Sequence, residues 1–137
     1  MIYLESFELP GIDEQMDTVS DLHKRCYPFH VFDEDLPVLD MSNITIFYGG
    51  NGSGKTTILN LISEKLGLPR STPFNRTPFF EKFVHKCRMR LAGEDTGYPD
   101  PLPVQSRFIC SDDVFEHILR LREQNDARDL AAERAAH

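Results

Sequence analysis

"YGGNGSGKTTILN", residues 48–60, is the stretch on which the reading of this chain turns. Gly49 to Thr56 matches G-x-x-x-x-G-K-[ST] in full, a spacing whose backbone N–H groups cradle phosphate oxygens. Gly50, Gly52 and Gly54 allow the backbone to curl so that successive N–H groups point inward. A helix leading out of the loop adds the partial positive charge of its N-terminus. In this pattern Lys55 reaches the β- and γ-phosphates, and the Thr56 hydroxyl sits on Mg²⁺. The candidate binding set is therefore Gly49, Gly50, Asn51, Gly52, Ser53, Gly54, Lys55 and Thr56, with Thr56 as the metal ligand. The alternative is a glycine-rich turn that binds nothing; the complete match between a strand and a helix argues against it.

The flanking pattern supplies that context. "NITIFYG" (43–49) is a short β-rich apolar run of the buried kind. From about Lys55 to Leu66 the residues Ile58, Leu59, Ile62 and Leu66 fall on one helical stripe, and Gly67 and Pro69 stop it. Upstream, "IYLESFEL" (2–9) predicts a strand with Tyr3, Phe7 and Leu9 on one face, and residues 10–21 a loop. "CYPFHVF" (26–32) predicts a second strand, with Pro28 at an edge or bulge. Downstream, residues 69–78 form a loop marked by Pro69, Pro73 and Pro78. Phe80, Phe83, Val84 and Cys87 are spaced as a helix, while Cys87, Met89 and Leu91 alternate with Arg88 and Arg90 as a strand. Residues 79–91 thus predict a short helix running into a strand. Residues 93–103 predict a loop, 104–110 a strand, and 111–124 a helix that Asp113 and Glu116 would start as a capping box. The sum is an α/β fold of the P-loop type: a mainly parallel sheet, antiparallel strands added at the N-terminus, and helices packed on it.

With 137 residues, 40% hydrophobic and 27% charged, the chain has the composition of one globular domain rather than a disordered one. Its apolar runs are too short to span a membrane, and "MIYLESFELP" lacks the basic and apolar regions of a secretory signal. Cys26, Cys87 and Cys110 are odd in number and far apart, as expected of reduced cysteines in a cytoplasmic protein. The net charge of −7 opposes non-specific nucleic-acid binding, but it is unevenly spread. Residues 1–40 hold ten acids against Lys24 and Arg25; residues 70–90 hold Arg70, Arg76, Lys82, Lys86, Arg88 and Arg90 against Glu81 alone. Either the basic stretch is a nucleic-acid surface, or the two patches face each other, or the stretch is a solvated face. The absence of interleaved aromatic platforms argues against the first.

Two further groups carry candidate chemistry. Asp112 and Asp113 follow the only apolar strand downstream of the loop and could hold Mg²⁺ and orient water. Ser111 breaks the apolar run, however, and Asp113 suits a helix cap, which is the favoured role. His23, Cys26 and His30 are metal-ligand types without an evident fourth partner.

"YPF", the first strand, "ITIFYGGNGSGKTTILNLISEKLGL" and "FICSDDVFEHILRLR" together resemble the single-domain ATPases of the ABC/AAA type. These are bacterial proteins akin to the heads of chromosome-maintenance and DNA-repair ATPases. The resemblance covers roughly residues 1–125, and the phosphate loop is its most specific part. It implies ATP, or alternatively GTP, with Mg²⁺ at Gly49 through Thr56, and a Thr57 hydroxyl directed toward the α-phosphate. It further implies hydrolysis between two heads paired in a homodimer, where one copy's phosphate loop meets the other's signature loop. Tyr27 and Phe29 precede the loop at about the interval where some relatives stack an aromatic ring on adenine; core packing is the commoner fate. The family's second half carries a signature loop, a strand ending in Asp-Glu and a switch histidine, none of which is visible here. The expectation is therefore the N-terminal half of such a domain (1–125), weak or inactive in hydrolysis alone, or else a non-catalytic nucleotide-binding module. Small-molecule kinases share G-S-G-K-[ST]-T, but they usually begin at the loop, and here 48 residues precede it. Residues 126–137 hold five of the chain's six alanines and look like an appended or out-of-frame tail.

Overall fold

The computed structural model describes residues 1–16, 26–32, 34–71, 74 and 76–136. In chain order the elements are β1 (Leu4–Glu8), α1 (Ile12–Met16), β2 (Leu39–Asp40), α2 (Lys55–Leu66), α3 (Pro78–Lys86), β3 (Arg88–Leu91) and α4 (Ser111–Ala136), with a 3₁₀ turn at Glu94–Thr96. They divide into two units, Met1–Leu68 with Asn75–Ser106, and Pro69–Phe74 with Arg107–His137.

The first unit is built around β1, which lies between its two antiparallel neighbours in the order β2-β1-β3. Phe7 faces Met89 on one side and Leu39 on the other in register. The strand period of two buries Phe7 completely and Leu9 to 5% exposure, as the sequence predicts. The start of α3 is fixed locally: Thr77 Oγ1 accepts from the Phe80 amide at 3.2 Å, and Pro78 takes the first helical position. That start aims Phe80 and Phe83 into the core, where Phe29 meets Phe83 edge-on at a centroid distance of 5.1 Å. The helix ends at Cys87 and runs into β3, matching the double periodicity of residues 79–91.

Part of the basic stretch meets part of the acidic one. Arg88 reaches Glu8 at 3.2 Å and Glu14 at 3.4 Å, Arg90 reaches Glu5 at 3.0 Å and Asp95 at 2.7 Å, and Lys86 donates to the Glu14 carbonyl. Hydrogen bonds to Glu8 and to Asp95 push the guanidinium groups of Arg88 and Arg90, respectively, above their ordinary value. Exposed pairs of this kind add little stability. Lys24 and Arg25 lie outside the described residues.

Several elements differ from expectation. Residues 43–49 form no strand: Ile44, Ile46 and Tyr48 are 81%, 79% and 95% exposed, because no ladder partner reaches them among the described residues. Local β preference alone does not hold a strand. Residues 26–32 form consecutive turns, with Phe29 N donating to Cys26 O and Val31 N to Pro28 O around a cis Tyr27–Pro28 bond. Residues 104–110 contribute one parallel bridge, Arg70 to Phe108, so the expected parallel sheet is not formed among the described residues. Within the loop expected at 10–21, Ile12–Met16 is a short helix, and 17–21 lie outside the description, as does Pro73 of the loop at 69–78. On α2 Ile58 of the predicted stripe is buried and Ile62 and Leu66 are half-buried, but Leu59 is 44% exposed and the buried face also takes in Thr57, Asn60, Leu61 and Ser63. The last helix runs through to Ala136 without a break at residue 126. Alanine is the best helix former, which is why the tail continues the helix that precedes it. No helix among the described residues is long and apolar enough to cross a membrane.

Cys87 is 2% exposed, and burial pushes its thiol up to about 12 from 9.0, with Lys65 and Arg88 pulling the other way. The folded protein keeps this proton where the unfolded chain loses it. The stabilising contribution is therefore complete below pH about 9 and is lost as pH rises toward about 12. Denaturant unfolding should show the stability advantage of wild type over Cys87→Ala shrinking as pH rises from about 9 toward about 12. Parallel pH profiles would contradict the assignment.

Candidate functional site

The loop between residues 49 and 54 closes on itself through Ser53 N donating to Gly50 O at 3.2 Å. Helix α2 then starts after Gly54, whose φ of 97° lies in the left-handed region. Among the described residues no side chain caps this helix, so there its leading amides have neither an intrahelical acceptor nor a side-chain cap. Lys55 folds across the loop: its Nζ donates to Gly49 O, to Gly50 O at 2.9 Å and to Ser53 Oγ at 3.3 Å. Thr56 is exposed on the first turn, and Thr57 is buried behind it.

The turns at 26–32 form the facing wall. Tyr27 OH donates to Thr57 Oγ1 at 2.9 Å. Its ring stacks on Phe80, centroids 5.9 Å apart and planes within 6°, and meets His30 edge-on at 6.4 Å. A Cβ on Gly54 would lie 2.4 Å from Phe32 Cε1 and 3.2 Å from Val31 Cγ1. The wall and the loop therefore touch, and only glycine fits between them. Together they line a cleft of about 480 Å³ formed by Tyr27, His30, Val31 and residues 51–57. Among the described residues that line the cleft the one formally charged side chain is the Lys55 ammonium, and Ser53, Thr56 and Thr57 add hydroxyls that can donate. Such a set suits tetrahedral oxyanions, and uncapped amides at a helix start suit them further.

Of the remaining candidates, Phe29 is buried on Phe83 and belongs to the core, whereas Tyr27 lines the cleft. His30 also lines it; His23 lies outside the described residues. No three His, Cys, Asp or Glu side chains among the described residues gather to hold a metal. Asp112 and Asp113 belong to the second unit. There Asp113 Oδ2 accepts from the Cys110 amide at 2.9 Å and from its thiol at 3.2 Å. Helix α4 starts two residues before the expected cap, so Asp113 acts from its third position and Glu116 instead pairs with Arg120 at 3.6 Å. The second unit also stacks the Arg70 guanidinium on Phe108 and Phe74, at 4.3 and 4.9 Å, and has its own cleft of about 420 Å³. That cleft mixes Arg107, His117 and Arg120 with Asp113 and Glu116, so it is not selective for one sign of charge.

The contribution of the wall is the part that sequence reasoning missed. Read as a strand, residues 26–32 give no sign that Val31 and Phe32 back the loop. No protein-family model, curated protein or solved structure matches the chain. The chemistry of the cleft therefore carries the functional reading.

The contact between Gly54 and Phe32 makes a paired prediction. Gly54→Ala combines a left-handed backbone with a blocked Cβ and should cost about 1–3 kcal/mol in urea unfolding. Gly50→Ala meets nothing within 4 Å and has no positive φ, so it should change stability by no more than about 0.5 kcal/mol. Equal effects from the two would contradict the wall-on-loop packing.

Proposed function

We propose that this chain is an ATP-binding protein of the P-loop, ABC/AAA-ATPase type, and that Mg²⁺-nucleotide occupies the cleft at residues 49–57. The observation that carries the reading is the uncapped start of α2 beneath a glycine-rich loop crossed by the Lys55 ammonium. In the proposed complex the amides of Gly50 to Thr56 take the phosphate oxygens, while Lys55 leaves the loop carbonyls for the β- and γ-phosphates. Thr56 would supply its hydroxyl to Mg²⁺, and the Thr57 hydroxyl would face the α-phosphate. The metal would neutralise charge on the terminal phosphates.

A second reading, binding without turnover, is favoured by one specific feature. The described cleft lining contains no carboxylate that could orient an attacking water. By the family resemblance, hydrolysis would need a signature loop contributed across a head-to-head pair. This sequence carries neither that loop nor an Asp-Glu strand. A small-molecule kinase is the less favoured alternative.

Titration calorimetry with Mg²⁺-ATP tests the proposal. Wild type should bind, and Lys55→Ala should weaken binding by about two orders of magnitude or more. Phosphate release by the wild-type chain alone should stay at background. Equal affinity in the two forms would overturn the assignment of the site; a robust Lys55-dependent rate would overturn the reading of binding without turnover.

A further inference from the structure

We infer that Tyr27 is a positioning residue for the nucleotide: its phenol orients the Thr57 hydroxyl so that this hydroxyl donates into the phosphate cleft. The inference rests on the nucleotide reading of the loop and adds a residue to it. Thr57 is at the third position of α2 and only 5% exposed, so its side chain has little freedom and few possible partners. The Tyr27 hydroxyl lies 2.9 Å from Thr57 Oγ1 and donates to it. A phenolic O–H is the stronger donor of such a pair, and an alkyl hydroxyl oxygen the stronger acceptor. Once Thr57 accepts from Tyr27, its own proton is available to donate, and its oxygen is turned by that bond.

The phenol is held in place from behind. Its ring lies parallel on Phe80, a side chain 1% exposed and fixed by the Thr77-capped start of α3. One face of the Tyr27 ring is thereby covered, and His30 stands at its edge. The path from core to ligand is short: Phe80 fixes the ring, the ring fixes the hydroxyl, and the hydroxyl fixes Thr57. This assigns the hydroxyl of Tyr27, rather than its ring face, as the functional group. It acts through Thr57 and is not itself a catalytic residue.

Tyr27→Phe removes only that hydroxyl and retains the ring, so a base-stacking role would survive it. Mg²⁺-ATP affinities are measured by calorimetry for wild type, Tyr27→Phe, Thr57→Val, Thr57→Ser and the double variant Tyr27→Phe/Thr57→Val. Folding is checked in each by circular dichroism. We expect Tyr27→Phe to bind about five- to tenfold more weakly and Thr57→Val at least as weakly. Thr57→Ser should remain within about twofold of wild type, and the double variant should be no worse than Thr57→Val. A role confined to stability would lower the melting temperature without this coupling in affinity. Tyr27→Phe binding as wild type, or losses that add in the double variant, would overturn the inference. If Lys55→Ala still abolishes binding in that case, the nucleotide reading stands; if Lys55→Ala also binds as wild type, both fall. Should Tyr27→Phe not fold, Thr57→Val against Thr57→Ser decides: equal affinities overturn the inference.

Discussion

Gly54 is pinned in the left-handed region between the first turn of α2 and the rings and methyls of Phe32 and Val31, and the rest of the site depends on that contact. A side chain there would push the 26–32 wall off the loop. With hydrogen alone at the α-carbon, the wall closes and brings Tyr27 to Thr57. The same glycine, having no side chain, cannot itself cap the start of α2. One missing methyl group thus links backbone conformation, packing and the electrostatics of the cleft.

Behind the wall the aromatic residues transmit rigidity. Phe80 and Phe83 leave the capped α3 one turn apart, the first under Tyr27 and the second under Phe29. Two residues of a seven-residue turn segment are therefore anchored in the same core as β1. Burying rings of this size is worth roughly 1.5–3 kcal/mol each. That is ample to hold two consecutive turns that no sheet ladder supports. The ion pairs from Arg88 and Arg90 to β1 and α1 are exposed and add little stability.

How much could be read beforehand follows from how local each signal is. The glycine loop, the helix beginning at Lys55, the first strand and the helix-to-strand switch near Cys87 were legible, because each is written in a few consecutive residues. Contact between the charge patches was one of three readings of the charge pattern, and it holds for Arg88 and Arg90 against Glu5, Glu8 and Glu14. The wall was not, because "CYPFHVF" alternates like a strand while Pro28 and the pull of Phe80 and Phe83 fold it into turns. Ile44, Ile46 and Tyr48 illustrate the opposite failure: their β preference is strong, yet a strand exists only where a neighbour supplies hydrogen bonds. The buried face of α2 was misjudged for a related reason. Hydrophobic spacing marks which residues could be covered, whereas Thr57, Asn60 and Ser63 are covered because their side of the helix meets the core. Asp113 does not take the N-cap position that its spacing from Glu116 suggests: the helix begins at Ser111, and the Asp113 carboxylate reaches back from the third position to the Cys110 amide.

The central claim is that phosphate is held by backbone amides at the start of α2. Two-dimensional amide NMR of the isotope-labelled chain during titration with Mg²⁺-ATP tests it most directly. The account predicts that the largest shifts fall on Gly50 to Thr57, with smaller ones on the wall at Tyr27 and His30. Shifts centred instead on Arg107, His117 and Arg120 of the second unit, or no shifts from a folded chain, would contradict it.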